Sequence, residues 1–154
     1  MTGDALGDAI AADVDAQVDA ATAMTVAIDR LKAASPDYSW VGIYLLDGHE
    51  LVLGPFLGAP SPHTRIPLDR GICGAAATQR APIIVDDVRA DPRYLACSLE
   101  TRSEIVVPIM AEGRVLGEID IDSDRVGAFG EPDQRLLERV ADALGRRLTD
   151  AAAS

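Results

Sequence analysis

The sequence predicts an α+β domain: a mostly antiparallel central sheet of about six strands, with N- and C-terminal helices packed on one face. Three observations carry this. Apolar residues step by three and four at both ends of the chain. Short strand-like runs fill the middle in pairs, separated by Asp-Gly and Glu-Gly turns. Finally, 154 residues at 48% hydrophobic suffice for one good core and are few for two. Residues 1–36 read as an N-terminal helical segment and 37–150 as the body of a single structural domain.

From Asp4 to about Ala34 the series Leu6, Ile10, Val14, Val18, Ala21, Met24, Ile28 and Leu31 predicts one helix with a single apolar stripe, ended by Ser35-Pro36-Asp37. Strands follow at Ser39 to Leu46 and Glu50 to Leu57, joined at Asp47-Gly48, where glycine accepts a positive φ. Arg65 to Pro67 gives a third strand. The small residues after Gly71 (Ile72-Cys73-Gly74-Ala75-Ala76-Ala77) suit a short helix lying close on a sheet, with Cys73 in its first turn. Pro82 to Val85 is another strand, and Asp86 to Thr101 a polar connection without periodicity, of the kind that carries function. Glu104 to Met110 and Arg114 to Asp122 form a second hairpin across Glu112-Gly113. A last helix enters at Glu131-Pro132-Asp133, with Leu136, Leu137, Val140, Leu144 and Leu148 as its stripe.

A formal charge of -11 repels phosphate backbones and anionic lipid, so nucleic-acid and membrane partners are disfavoured and small molecules or proteins expected. The chain starts without a basic, then apolar, leader, and holds no uninterrupted apolar run of the roughly 18 residues a membrane span needs, so a soluble cytoplasmic protein is expected. Two cysteines are too few for a stapling framework. They are also too few for a structural zinc site unless His63 or His49 joins them, and no metal is expected.

Cys97 lies in the long connection with arginines on both sides, which favour a thiolate and make it a candidate nucleophile. Cys73, at a helix start, feels the positive end of the dipole, which lowers a thiol pKa and suits a resolving role. Simple burial as a small hydrophobe is the competing reading for each, and nearly an even one for Cys73. Glu118, Asp120 and Asp122 alternate with Gly117, Ile119 and Ile121 and so share one strand face, which Glu104 on the hairpin's other strand can join. A solvated sheet face explains that pattern too. Converged in a closed pocket, these acids instead repel one another and keep a proton near neutral pH. Trp40 and Tyr44 share a face four residues apart, with Phe56 on the neighbouring strand; core packing competes with ligand contact for all three. His63 reads as a base, a ligand or a plain loop histidine.

Taken together, Val41-Gly42-Ile43-Tyr44-Leu45-Leu46, Leu51-Val52-Leu53-Gly54-Pro55-Phe56, Arg70-Gly71-Ile72-Cys73-Gly74, Leu95-Ala96-Cys97, Ser103-Glu104-Ile105-Val106 and Asp120-Ile121-Asp122-Ser123 closely resemble the free methionine-(R)-sulfoxide reductases. These are single GAF domains, and the resemblance covers roughly Tyr38 to the final helix. It implies a GAF fold and reduction of free methionine-(R)-sulfoxide. Cys97 is then the attacking thiolate and Cys73, 24 residues earlier, the resolving cysteine. Glu104, Asp120 and Asp122 hold and protonate the substrate, while Trp40 and Tyr44 meet its methyl end. No bound cofactor is implied, only an external thiol reductant such as thioredoxin; a homodimer through the end helices is open. The family commonly has a cysteine where this chain has His63, and His and Asp where Tyr94 and Ser98 stand. A non-catalytic GAF sensor of a small ligand, or a thiol redox switch, is the alternative.

Overall fold

Two tight turns set the sheet. The computed structural model describes residues 3–94 and 100–153. In it Gly48 takes φ +62° between Asp47 and Glu50, which pair across strands β1 (Trp40–Asp47) and β2 (Glu50–Leu57). Glu112 and Gly113 take φ +53° and +75° between β5 (Ser103–Ala111) and β6 (Arg114–Ser123). Two successive left-handed residues give the twist that a two-residue hairpin needs. With β3 (Arg65–Pro67) and β4 (Ile83–Val85), the six strands run in the order β3-β2-β1-β6-β5-β4, and the pairings are antiparallel. The expected α+β fold is therefore found.

Strand β6 lies between β1 and β5, and its register decides what meets what. Asp122 stands opposite Trp40 and Glu104, Asp120 opposite Gly42 and Val106, and Glu118 opposite Tyr44 and Pro108. The intervening residues Ile119 and Ile121 point to the other face, where they join Val41, Ile43, Ile105 and Val107 in the larger core.

Helices α1 (Gly3–Asp15), α2 (Ala20–Ala34) and α4 (Glu131–Ala153) cover that apolar face with Ile10, Val14, Ala27, Leu31, Leu137, Val140 and Leu144. The single long N-terminal helix expected from the sequence is in fact two. The Asp19 carboxylate accepts from the Thr22 amide at 2.7 Å and caps a new helix there, leaving Val18 90% exposed. The break frees α1 to lie along α4, where Arg139 pairs with Asp4 and Asp8, and Arg146 with Asp15.

The opposite face is covered by α3 (Gly71–Gln79). Gly74 permits its close seat: a Cβ there would sit 2.8 Å from the Leu68 carbonyl oxygen. The connection after β4 contains a short 3-10 turn, Val88–Ala90, and is pinned at its far end by the Val88 amide donating to the Arg102 carbonyl at 2.7 Å and the Arg102 amide donating to Ser123 at 2.8 Å. Cys97 and Ser98, singled out in the sequence, lie outside the described residues. Among the described residues, no helix is long and apolar enough to cross a membrane.

Candidate functional site

The face of β1, β6 and β5 beneath α3 is not a solvated one. Glu118, Asp120, Asp122 and Glu104 are 0%, 1%, 3% and 4% exposed, so alternation on β6 has placed acids in a second, smaller core beside Tyr44, Cys73 and Val106. Such burial penalises charge. It pushes the carboxyls of Glu118 and Asp122 well above the usual carboxylate range and raises that of Asp120. The Asp120 charge adds to the rise at Glu118 and Asp122, while hydrogen bonds from Glu104 favour the charged forms of Asp120 and Asp122. Burial of several acids on one face thus favours their protonated forms.

Cys73 is a free, buried thiol on the third residue of α3, and its Sγ donates to Asp120 Oδ2 at 3.4 Å. Its pKa moves opposite to the sequence expectation. Burial first, then the charges of Asp120, Glu118 and Glu104, push the thiol well above its ordinary value. The positive end of a short helix is outweighed by burial against three carboxyls, and Cys73 rests as a neutral thiol.

Trp40 forms one wall. Its Nε1 donates to the Ala59 carbonyl at 2.9 Å and its ring stacks on Phe56, centroids 5.7 Å apart at 19°. Gly42 makes this possible, because a Cβ there would come within 2.3 Å of the indole. Tyr44 sits deeper, fully buried and 6.4 Å from the Trp40 ring, with its hydroxyl donating to the His63 carbonyl at 3.0 Å. His63 thus contributes a backbone acceptor to this wall. Beside Trp40 and Asp122, a cavity of about 90 Å³ is bounded by Ser39, Ala59, Ser61 and Thr101, and by Glu100 and Asp124 at its rim. A larger cleft of about 490 Å³ lies at α3 between Arg70 and Arg93 and has none of Glu104, Glu118, Asp120 and Asp122 in its walls.

The structure therefore brings together Cys73, Glu104, Asp120, Asp122, Trp40 and Tyr44. Cys97 is not among the described residues; of the residues nearest it in sequence that are described, Tyr94 packs on the same smaller core, and Glu100 and Thr101 line the cavity. The sequence places Glu118 on the same face as Asp120 and Asp122, but the family resemblance assigned it no role; the structure buries it with them. Ser61 and Thr101 gave no signal, since loop residues carry no period. The Cys73 sulfur and one oxygen each from Glu104 and Asp120 lie within 4.8 Å of one another, a spacing that also suits a metal ion.

A model of the GAF domain family matches residues 19–148 of the chain. GAF domain-containing protein A of Dictyostelium discoideum is 43% identical over 109 residues, covering 70% of this chain and 68% of that protein. Among solved structures, the free methionine-R-sulfoxide reductase of Neisseria meningitidis in complex with its substrate is 37% identical, with a TM-score of 0.89 over 96% of this chain and 89% of that one. The type II free methionine-R-sulfoxide reductase of Thermoplasma acidophilum is 39% identical, with a TM-score of 0.82 over 85% of this chain and 93% of that one.

Proposed function

The chain belongs to the GAF domain family, and from that premise we propose that it reduces free methionine-(R)-sulfoxide to methionine, with Cys97 as nucleophile and Cys73 as resolving thiol. The observation that carries this reading is the buried set Glu104, Asp120 and Asp122 beside the Trp40 wall. A sulfoxide oxygen leaves only when protonated, and an amino-acid ammonium needs anionic partners. One set of acids that shares a proton supplies both. Likeness to the Neisseria reductase solved with its substrate adds support.

The reaction then runs as follows in atoms and electrons. The Cys97 thiolate attacks the sulfoxide sulfur while a protonated carboxyl gives its proton to the oxygen. The hydroxyl then shifts from the substrate sulfur to Cys97 as the S–O bond and the newly formed S–S bond break; Cys97 is oxidised to a sulfenic acid, and methionine departs as the two-electron-reduced thioether. The Cys73 thiol next displaces water from that sulfenic acid, forming a Cys73–Cys97 disulfide. Asp120, already the acceptor of the Cys73 hydrogen bond, relays the thiol proton to the departing sulfenic hydroxyl, which leaves as water, and ends the step in the protonation state in which it began. An external dithiol, of the thioredoxin type, reduces the disulfide, so no bound cofactor enters. Such a cycle belongs in a reducing compartment, the cytoplasm.

Trp40 and Tyr44 line the methyl side of the substrate in this reading, and the Asp120–Asp122 side receives its ammonium. Incubation of the reduced protein with the separate R and S epimers of free methionine sulfoxide and a dithiol is the direct test. R-selective release of methionine is expected, falling by three orders of magnitude or more in Cys97→Ser. A folded, reduced protein that turns over neither epimer removes the reading.

A further inference from the structure

We propose that the acid face beneath α3 is also a binding site for a divalent metal ion of the zinc class, with Cys73, Glu104 and Asp120 as ligands. This goes beyond the reductase reading and stands on geometry alone. The Cys73 sulfur and the two carboxylate oxygens lie within 4.8 Å of one another. The Cys73–Asp120 separation of 3.4 Å is close to the ligand-to-ligand edge of about 3.5 Å that a tetrahedral zinc with sulfur and oxygen ligands produces. Counting cysteines and histidines alone misses this site, because carboxylates complete it.

A second observation points the same way. Glu118 is 0% exposed and neither of its side-chain oxygens has a hydrogen-bond partner. It stands two residues before Asp120 on the same face of β6, opposite Tyr44 and Pro108. Asp120 Oδ1 and Asp122 Oδ1 are likewise buried without partners. Buried carboxyl oxygens left unpaired are costly, and a cation among them relieves several at once. Glu118 is therefore placed to complete a four-ligand shell, or to orient it from outside.

One thiolate among oxygens favours zinc and cobalt over magnesium or calcium, which take oxygen alone. Binding displaces the Cys73 proton, so affinity rises with pH. An ion held there occupies the acids that the substrate's ammonium would use and removes Cys73 from thiol exchange. Metal and substrate accordingly exclude one another.

The test is a titration of the reduced, chelator-stripped full chain with cobalt(II) alone, followed by absorption. A thiolate-to-cobalt charge-transfer band that saturates at one ion per chain is expected, displaced by zinc, retained in Cys97→Ser and absent in Cys73→Ser. Glu118→Gln is expected to weaken zinc binding, read by competition with a chromogenic chelator, by about 10- to 100-fold. Should Cys73→Ser not fold, Asp120→Asn with Cys73 intact serves in its place and loses the same affinity. No band with the folded native chain overturns the proposal. So does a band that persists in Cys73→Ser but vanishes in Cys97→Ser. Turnover measured in chelator is a separate readout, so failure of the reductase reading leaves this result interpretable.

Discussion

The two faces of the sheet are built from alternate residues of the same strands, yet they are chemical opposites. On β6, Ile119 and Ile121 enter the larger core under α1, α2 and α4, while Glu118, Asp120 and Asp122 enter the smaller one under α3. Burying an aliphatic side chain contributes roughly 1.5–3 kcal/mol. Burying a carboxyl costs free energy unless it keeps its proton or finds a counter-charge. One strand thus divides its labour by parity: odd positions hold the fold together, and even positions carry buried acids whose carboxyls are raised above the ordinary range.

The division is open to direct attack. The largest effect expected after loss of Cys97 is on the acid face: Glu104→Gln should cost about 100-fold or more in kcat/KM, since it removes a proton carrier and an anionic contact. Its thermal midpoint should hold or rise, because a buried carboxyl is replaced by an amide of the same shape. A variant that unfolds instead breaks the comparison.

On the other face, Ile121→Ala should lower stability by about 2–5 kcal/mol in denaturant melts, with kcat/KM of the folded protein little changed. Gly42→Ala sits where the faces communicate, opposite Asp120 and under the Trp40 indole. The added methyl must displace the ring, so a loss of about 1–3 kcal/mol and a raised KM are expected. Unchanged KM with lowered stability would show the indole to be a wall of the core alone.

The gentlest probe is pH. At and below the ordinary carboxylate range the acids are protonated in both folded and unfolded chains, and stability is full. As pH rises above it, the unfolded chain releases protons that folded Glu118, Asp120 and Asp122 retain, so stability falls until their raised pKa values are passed. Melts taken upward from about pH 5 should show the midpoint declining, and Asp122→Asn should flatten the slope. A midpoint that climbs over that interval would contradict neutral burial of these groups.

Much of this was legible from the sequence, for identifiable reasons. Period two on β6 placed its acids on one face, and the Asp-Gly and Glu-Gly pairs fixed both hairpins and hence the register that sets Glu104 opposite Asp122. Period four ran on through Val18, and so hid the helix break, because the stripe cannot report that Asp19 caps Thr22. The direction of the Cys73 shift was misread since a helix start is local, whereas the acids facing it arrive from β5 and β6. Ala59, Ser61 and Thr101 converge on Trp40 from separate loops, where neither period nor spacing speaks.

Strand β6 has a hydrogen-bonded neighbour on each flank, β1 and β5, along the whole stretch that bears the acids. Its amides should exchange with solvent only on opening close to global unfolding, so the carboxyl constellation has almost no conformational repertoire of its own. Adjustment to a ligand must then come from the loops at the rim, around Ala59 to Ser61 and Glu100 to Thr101. Ligand discrimination is in this sense split from proton chemistry: residues near the rim can vary and retune selectivity, while the acids beneath them keep one fixed arrangement.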